Sequence, residues 1–199
     1  MKKSARHLDG STTGPVVKAN APGGRRIEGH RVRQSRIRIR RAETRDIPTL
    51  VQFRHQMFAD MGGRTESAIR AHDARYRSWV RSRIQSGELV ALLAEDRDSH
   101  PIATGSMWFR ETHPTPHVAS LKMPYILSVF TEPTARRKGT AGRIVRELVQ
   151  IARSMGYEQV RLNASDAGMG VYAKLGFERT TEMRRYLNPR GRRKARPIL

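Results

Sequence analysis

Tyr125-Ile126-Leu127-Ser128-Val129-Phe130, followed by Thr131-Glu132-Pro133 and then by Arg136-Arg137-Lys138-Gly139-Thr140-Ala141, decides how this chain folds. The first six residues are mostly apolar, with β-branched and aromatic members, and predict a buried strand. Beyond the glycine, Ala141, Ile144, Val145, Leu148, Ala152 and Met155 share one helical face, so a helix is predicted over 139–155, with Gly156 as its stop. A basic, glycine-bearing loop between a strand and a helix start is a place for an anion. The first backbone N–H groups of a helix lack intrahelical partners, and the positive end of its dipole points the same way.

Outward from this stretch the pattern continues. Val160 and Leu162 predict a strand, Asp166–Leu175 a short helix, and Phe177 the beginning of the final strands. Upstream, Ile37 and Ile39 alternate with Arg38 and Arg40 as in a half-exposed strand. Asp46 is expected to cap a helix that carries Pro48 in its first turn. That helix has Ile47, Leu50, Val51, Met57, Phe58 and Met61 on one face and ends at Gly62-Gly63. A second helical stretch is predicted over about 66–85, then strands over 88–94 and 102–109 across a turn-like Glu95–Ser99. Strand, two helices, an antiparallel run and then βαβαβ make a mixed α/β sandwich in a single domain, not a doubly wound sheet.

Composition narrows the function classes. The 199 residues suffice for one domain with a real core, and the absence of cysteine excludes disulfides, thiolate metal sites and Cys nucleophiles. No secretory signal follows Lys2-Lys3, and no segment approaches the roughly 20 apolar residues of a membrane-spanning helix, so a cytoplasmic location is expected. The net charge of +21 points toward polyanions, but residues 1–36 and 184–199 contribute +7 each. Two thirds of the excess therefore sits at the ends, which suits solvated tails with weak polyanion binding better than a nucleic-acid interface. Residues 1–35 are polar and rich in Gly, Pro and Ser, and are expected to be a disordered basic tail, or sequence upstream of a start nearer Arg31. Residues 188–199 read as a second basic tail, leaving 36–187 as the folded domain.

Three phosphate-reading loops compete for 136–142. A P-loop places Gly-Lys-Ser/Thr at its end, whereas Lys138 precedes Gly139 and the earlier glycine is missing. A dinucleotide fingerprint needs three spaced glycines, and only Gly139 and Gly142 are present. The remaining pattern, Arg-x-x-Gly-x-Ala after a strand and opening a helix, resembles the acyl-CoA loop of the GNAT superfamily of N-acetyltransferases. Pro133, three residues before Arg136, is common there too. Val171-Tyr172-Ala173-Lys174-Leu175-Gly176-Phe177 is similar to the family's second signature, and Tyr172 lies 36 residues beyond Arg136. The resemblance covers about 37–186 and implies a mixed, mostly antiparallel central sheet flanked by helices.

The resemblance also implies acetyl-CoA as co-substrate, an amine acceptor and no metal. Gly139 would let the backbone close around the pyrophosphate, with Thr140 following it and Ala141 small where the helix passes the ligand. Arg136, Arg137 and Lys138 would supply counter-charge. The edge of Val129, Phe130 and Thr131 would bond the pantetheine amides like an added strand. Tyr172 matches the position of the general acid, its plainer alternative being a packing tyrosine. The base is less defined, with Glu132 and Glu111 as candidates beside a water relay or an amine arriving neutral. Ser165 stands where many relatives have Asn and is expected to cap the helix or bond the cofactor arm. His113 and His117 flank Pro114 and Pro116 and cannot share a helical face as paired metal ligands do. Met57, Met61, Tyr76 and Trp79 are candidates for the acceptor pocket or simply for the core. A monomer or homodimer is expected. A CoA-binding module without catalysis, or a nucleic-acid-associated protein acting through its tails, are the rival readings.

Overall fold

The structure is a computed structural model and describes residues 37–114, 120–185 and 187. The two expected tails and His117 lie outside the described residues. Among the described residues, five strands form one sheet in the order β1-β2-β3-β4-β5. They are β1 (Arg38–Arg41), β2 (Leu89–Glu95), β3 (Pro101–Glu111), β4 (Lys122–Thr131) and β5 (Arg161–Leu162). The first three pairings are antiparallel and β4–β5 is parallel, as the expected mixed, mostly antiparallel sheet requires.

The helices divide between the two faces. Helix α4 (Thr140–Ser154) covers one face, burying Ile144, Val145, Leu148 and Ala152 completely against Leu92, Met107 and Ile126. Each large side chain withdrawn there contributes about 1.5–3 kcal/mol. The helix lies unusually close to the sheet at Gly105, where a Cβ would stand 2.5 Å from Ile144 Cγ2. The opposite face carries α1 (Ile47–Met61) and α3 (Asp73–Gln85), whose Ile47, Leu50, Phe53, Tyr76 and Val80 pack with Leu93 and Phe130. Helix α2 (Glu66–Arg70) joins them, and α5 (Asp166–Ala173) follows β5.

Several local expectations change. The helix predicted over 66–85 is broken at Ala71-His72 into α2 and α3. Met155 and Met61, placed on apolar faces by periodicity, are 54% and 42% exposed because both sit at helix ends beyond the sheet. Asp46 occupies the N-cap position of α1 but its carboxylate makes no cap bond to that helix. It turns back to accept from Arg40 Nη1 at 2.7 Å, Arg40 Nη2 at 2.9 Å and the Glu43 N–H at 2.8 Å. Arg40 Nε also reaches Glu95 at 2.5 Å, so one guanidinium ties β1, the start of α1 and the end of β2. No strand follows α5 among the described residues, so the final strands expected from Phe177 onward are not formed there. Phe177 instead folds back with its ring against Tyr172. No helix among the described residues is long and apolar enough to cross a membrane.

Candidate active site

The decisive geometry lies in β4. Thr104 pairs with Phe130 and Ser106 with Leu127, so Ser128 and Val129 together oppose Gly105. This is a β-bulge, and Ser128 takes φ +52° to make it. The extra residue reverses the alternation of side chains. Ile126 and Val129 pack toward α4, while Phe130 joins the core under α1. On its other edge β4 pairs with β5 only at Tyr125 and Ile126. Beyond that point the strands part, and residues 127–131 have no strand partner on this side among the described residues. An unpaired edge of this kind offers backbone donors and acceptors to an extended amide-bearing ligand.

The expected loop closes one end of this opening. A short 3₁₀ turn, Pro133–Ala135, leads through Arg136 to Arg137 at φ +61° and Gly139 at φ +78°. Left-handed residues around a helix start turn successive N–H groups into one concavity. A non-glycine residue in that region stores about 1–3 kcal/mol, a cost tolerated at sites with work to do. Among the described residues, the buried hydroxyls of Thr131 and Thr140, like that of Ser106, have no hydrogen-bond partner. Buried polar atoms are rarely left so, and of these Thr131 stands at the end of the strand edge and Thr140 at the first residue of α4. They fit a polar ligand laid from β4 to the α4 start.

The three basic residues of the loop do not behave alike. Arg136 Nε donates to Thr131 O at 2.9 Å, and its Nη2 is paired with Asp60 near the end of α1. Its guanidinium also lies 5.7 Å from the Phe130 ring. Lys138 Nζ donates to Thr134 O at 3.0 Å, within the loop itself. Arg137 is exposed. Arg136 is thus a brace between loop and α1. Asp60, its partner, was not anticipated, because a contact 76 residues away in sequence leaves no periodic trace.

Tyr172 lies on α5, half-buried against the α4-side core that also receives Val129. Phe177 meets it edge-on at 5.8 Å. Burial pushes its phenol above the ordinary tyrosine range, so the hydroxyl keeps its proton at neutral pH. The ring rests over Gly168, where a Cβ would come within 2.8 Å of Tyr172 Cε2. Helix α5 in turn touches α4 where Val171 faces Gly142. Ser165 holds the N-cap position of α5, but its side chain makes no cap bond; its carbonyl accepts from the Gly168 and Met169 N–H groups instead. Glu132 directly follows the free edge of β4, its N–H donating to Ile102 O at 2.9 Å and its side chain half-buried. Glu111 pairs with Lys122 at the opposite end of β4, about 30 Å from Thr131 at strand rise, and is out of reach of this site.

A cavity of about 820 Å³ opens on the other face, lined by Arg54, His72, Arg75, Tyr76, Trp79 and Leu127 among others. Leu127 belongs to the bulged part of β4, next to Ser128. Cavity and strand edge therefore meet at the bulge. Tyr76 and Trp79 line it, whereas Met57 packs into the core. Arg54 and Arg75 were not anticipated. Among 32 arginines a single one carries no signal until the fold shows what surrounds it.

Residues 38–180 match the family model of the acetyltransferase (GNAT) domain. The chain belongs to the GNAT acetyltransferases. A GCN5-related N-acetyltransferase from Ralstonia eutropha JMP134 shares the fold with a TM-score of 0.70 at 24% identity, over 76% of this chain and 98% of that one. A predicted acetyltransferase from Clostridium acetobutylicum, determined with acetyl-CoA, gives 0.70 at 29% identity, over 75% of this chain and 95% of that one. No curated protein matches the chain significantly. The GNAT membership carries the fold class and acetyl transfer in general.

Proposed function

We propose that this chain is an N-acetyltransferase that moves the acetyl group of acetyl-CoA onto a primary amine by direct attack. The observation that carries the reading is the parting of β4 and β5 after Ile126, with an unpaired strand edge leading to a left-handed loop and a helix start. In this reading Val129, Phe130 and Thr131 bind the pantetheine amides through backbone, since the Phe130 side chain is committed to the opposite core. Gly139, Thr140 and Ala141 offer N–H groups to the pyrophosphate. Arg137 and Lys138 add charge, Arg136 braces the loop, and Ser165 contributes a hydroxyl beside the cofactor arm. The relative from Clostridium acetobutylicum, determined with acetyl-CoA, supports the same co-substrate here.

When bound, acetyl-CoA supplies the activated acetyl; transfer forms a C–N bond, breaks the C–S bond and leaves one proton to be removed from nitrogen and one to be given to sulfur. Tyr172 holds the proton for sulfur, and Glu132 takes the one from nitrogen, directly or through water. In the same reading the folded domain spans 36–187 between basic tails, the location is cytoplasmic, and the protein works as a monomer or homodimer without a metal.

The test is Tyr172→Phe, assayed by free CoA release against an amine panel. A fall of about 100-fold or more in kcat with acetyl-CoA binding retained is expected of a lost general acid. Unchanged kcat would leave Tyr172 a packing residue. No detectable binding of CoA by the wild-type chain would sink the whole reading.

A further inference from the structure

The cavity beside the bulge is built with one sign of charge. Arg54 and Arg75 line it together with the rings of Tyr76 and Trp79, and no acidic residue is among the described lining residues. Arg54 stands 4.3 Å from the Tyr76 ring centroid and 4.7 Å from that of Phe58. No carboxylate lies within ion-pair distance of it among the described residues, although most other half-buried cations here are paired. The acid that acts on it, Asp73, makes no direct pair with it: its Oδ2 is held by His55 at 2.8 Å and its Oδ1 is buried without a hydrogen-bond partner among the described residues, with Glu66 on the other ring nitrogen at 2.9 Å. Withdrawal from water lowers the Arg54 pKa, yet an arginine stays charged, so a positive charge remains partly desolvated without an ionic partner.

We propose that this cavity selects an amine acceptor that also carries an anionic group, bound by Arg54 with Arg75 at its mouth. The inference rests on the transferase reading for the amine but not for the anion. The guanidinium of Arg54 is fixed between two rings, which leaves its planar N–H edge to receive a carboxylate or a phosphate in a paired geometry. Tyr76 and Trp79, stacked at 6.0 Å, form an apolar wall for the carbon chain between anion and amine. Leu127, which lines the cavity and belongs to the bulge, brings the far end of such a molecule next to the free edge of β4. Polyamines and other polycations would meet two like charges in a low-dielectric setting and are selected against. The cavity lies within the ordinary range of small-molecule sites.

Matched pairs test this: 5-aminovalerate against 5-aminovaleramide, 3-aminopropyl phosphate against 3-aminopropanol, and spermidine as the polycation. Trp79 lines the cavity, so its indole fluorescence reads occupancy whether or not acetyl is transferred, and CoA release reads transfer separately. At least one anionic member of the pairs is expected to bind about tenfold or more tighter than its neutral mate, as for a charged hydrogen bond. The pair that shows the gap identifies carboxylate or phosphate. Arg54→Met should abolish the gap. Arg75→Gln, at an exposed side chain, should narrow it without disturbing the fold. Equal binding within both pairs, or spermidine binding best, overturns the proposal while leaving transfer open. Anion-dependent occupancy without CoA release from any amine would instead uphold the anion site and remove the transferase reading.

Discussion

The two faces of the sheet are held by different forces. On the α4 side, Ile144, Val145 and Leu148 are fully buried and the helix comes down onto Gly105, so apolar contact and backbone proximity fix the geometry. On the side of α1 and α3 a core exists too, but charged groups bind its parts together. Arg40 links Asp46 and Glu95, and His55 bridges Glu66 and Asp73, joining α1 to α2 and α3. Apolar packing is insensitive to pH and salt, while ion pairs respond to both. The α4 side, where the donor is proposed to bind, is thus a fixed frame, and the proposed acceptor side is a surface whose shape depends on titratable groups.

The largest effect should come from disturbing the fixed frame. Gly105→Ala places a Cβ against Ile144 Cγ2 inside a packed core and should cost about 1–3 kcal/mol by urea unfolding. Ile144→Ala opens a cavity and should cost about 2–5 kcal/mol. Combined, the two should cost less than their sum, because the methyl added by one change occupies space vacated by the other. Simple additivity would mean that α4 shifts bodily away from β3 instead.

This asymmetry also explains what could be read from the chain. The α4 stripe, the glycine loop and Leu175-Gly176-Phe177 are short-range patterns, and periodicity locates them directly. The bulge at Ser128 could not be found that way, because it exists only in the pairing register with Thr104 and Ser106. Nor could the pairing of Asp46 with Arg40, which redirects a residue whose local sequence favours capping. The break at Ala71-His72 leaves Ile69 buried in α2 and Tyr76 and Val80 buried in α3, an apolar spacing that one continuous helix would also show. On the acceptor side Arg54 and Arg75 acquire meaning only from neighbours on other elements. Short-range patterns were legible; features made by long-range register or by charged neighbours on other elements were not.

An intermediate effect separates stability from activity on the donor side. Gly168 lies inside α5 and its replacement by alanine favours the helix by about 0.5–1 kcal/mol. The same Cβ meets the Tyr172 ring at 2.8 Å and must move it. Gly168→Ala should therefore lower kcat for CoA release about tenfold or more while the thermal midpoint stays level or rises. A loss of both together would point to damaged packing of α5 rather than a displaced phenol.

The smallest effect should appear on the acceptor side and depend on pH. Bonds to Glu66, then to Asp73, raise the His55 pKa above its ordinary value of 6.5. A group whose folded pKa lies above its unfolded one stabilises most below the unfolded value and loses that contribution as pH rises through the folded pKa. The thermal midpoint of the wild type should therefore exceed that of His55→Gln most clearly near pH 6, and the gap should close in more alkaline buffer. High salt should shrink it at every pH, since Glu66 is open to solvent. Asp46 runs the opposite way: its carboxyl is held below the usual range, first by the Arg40 hydrogen bond, so its contribution is lost only as acid protonates it. Because α3 carries Tyr76 and Trp79, the alkaline loss should raise the KM for the amine and leave that for acetyl-CoA unmoved. A gap that ignored pH would mean that His55 has the same pKa in the folded and unfolded chain, so that its carboxylate bonds contribute nothing and the proposed acceptor side, like the α4 side, is held by contact alone.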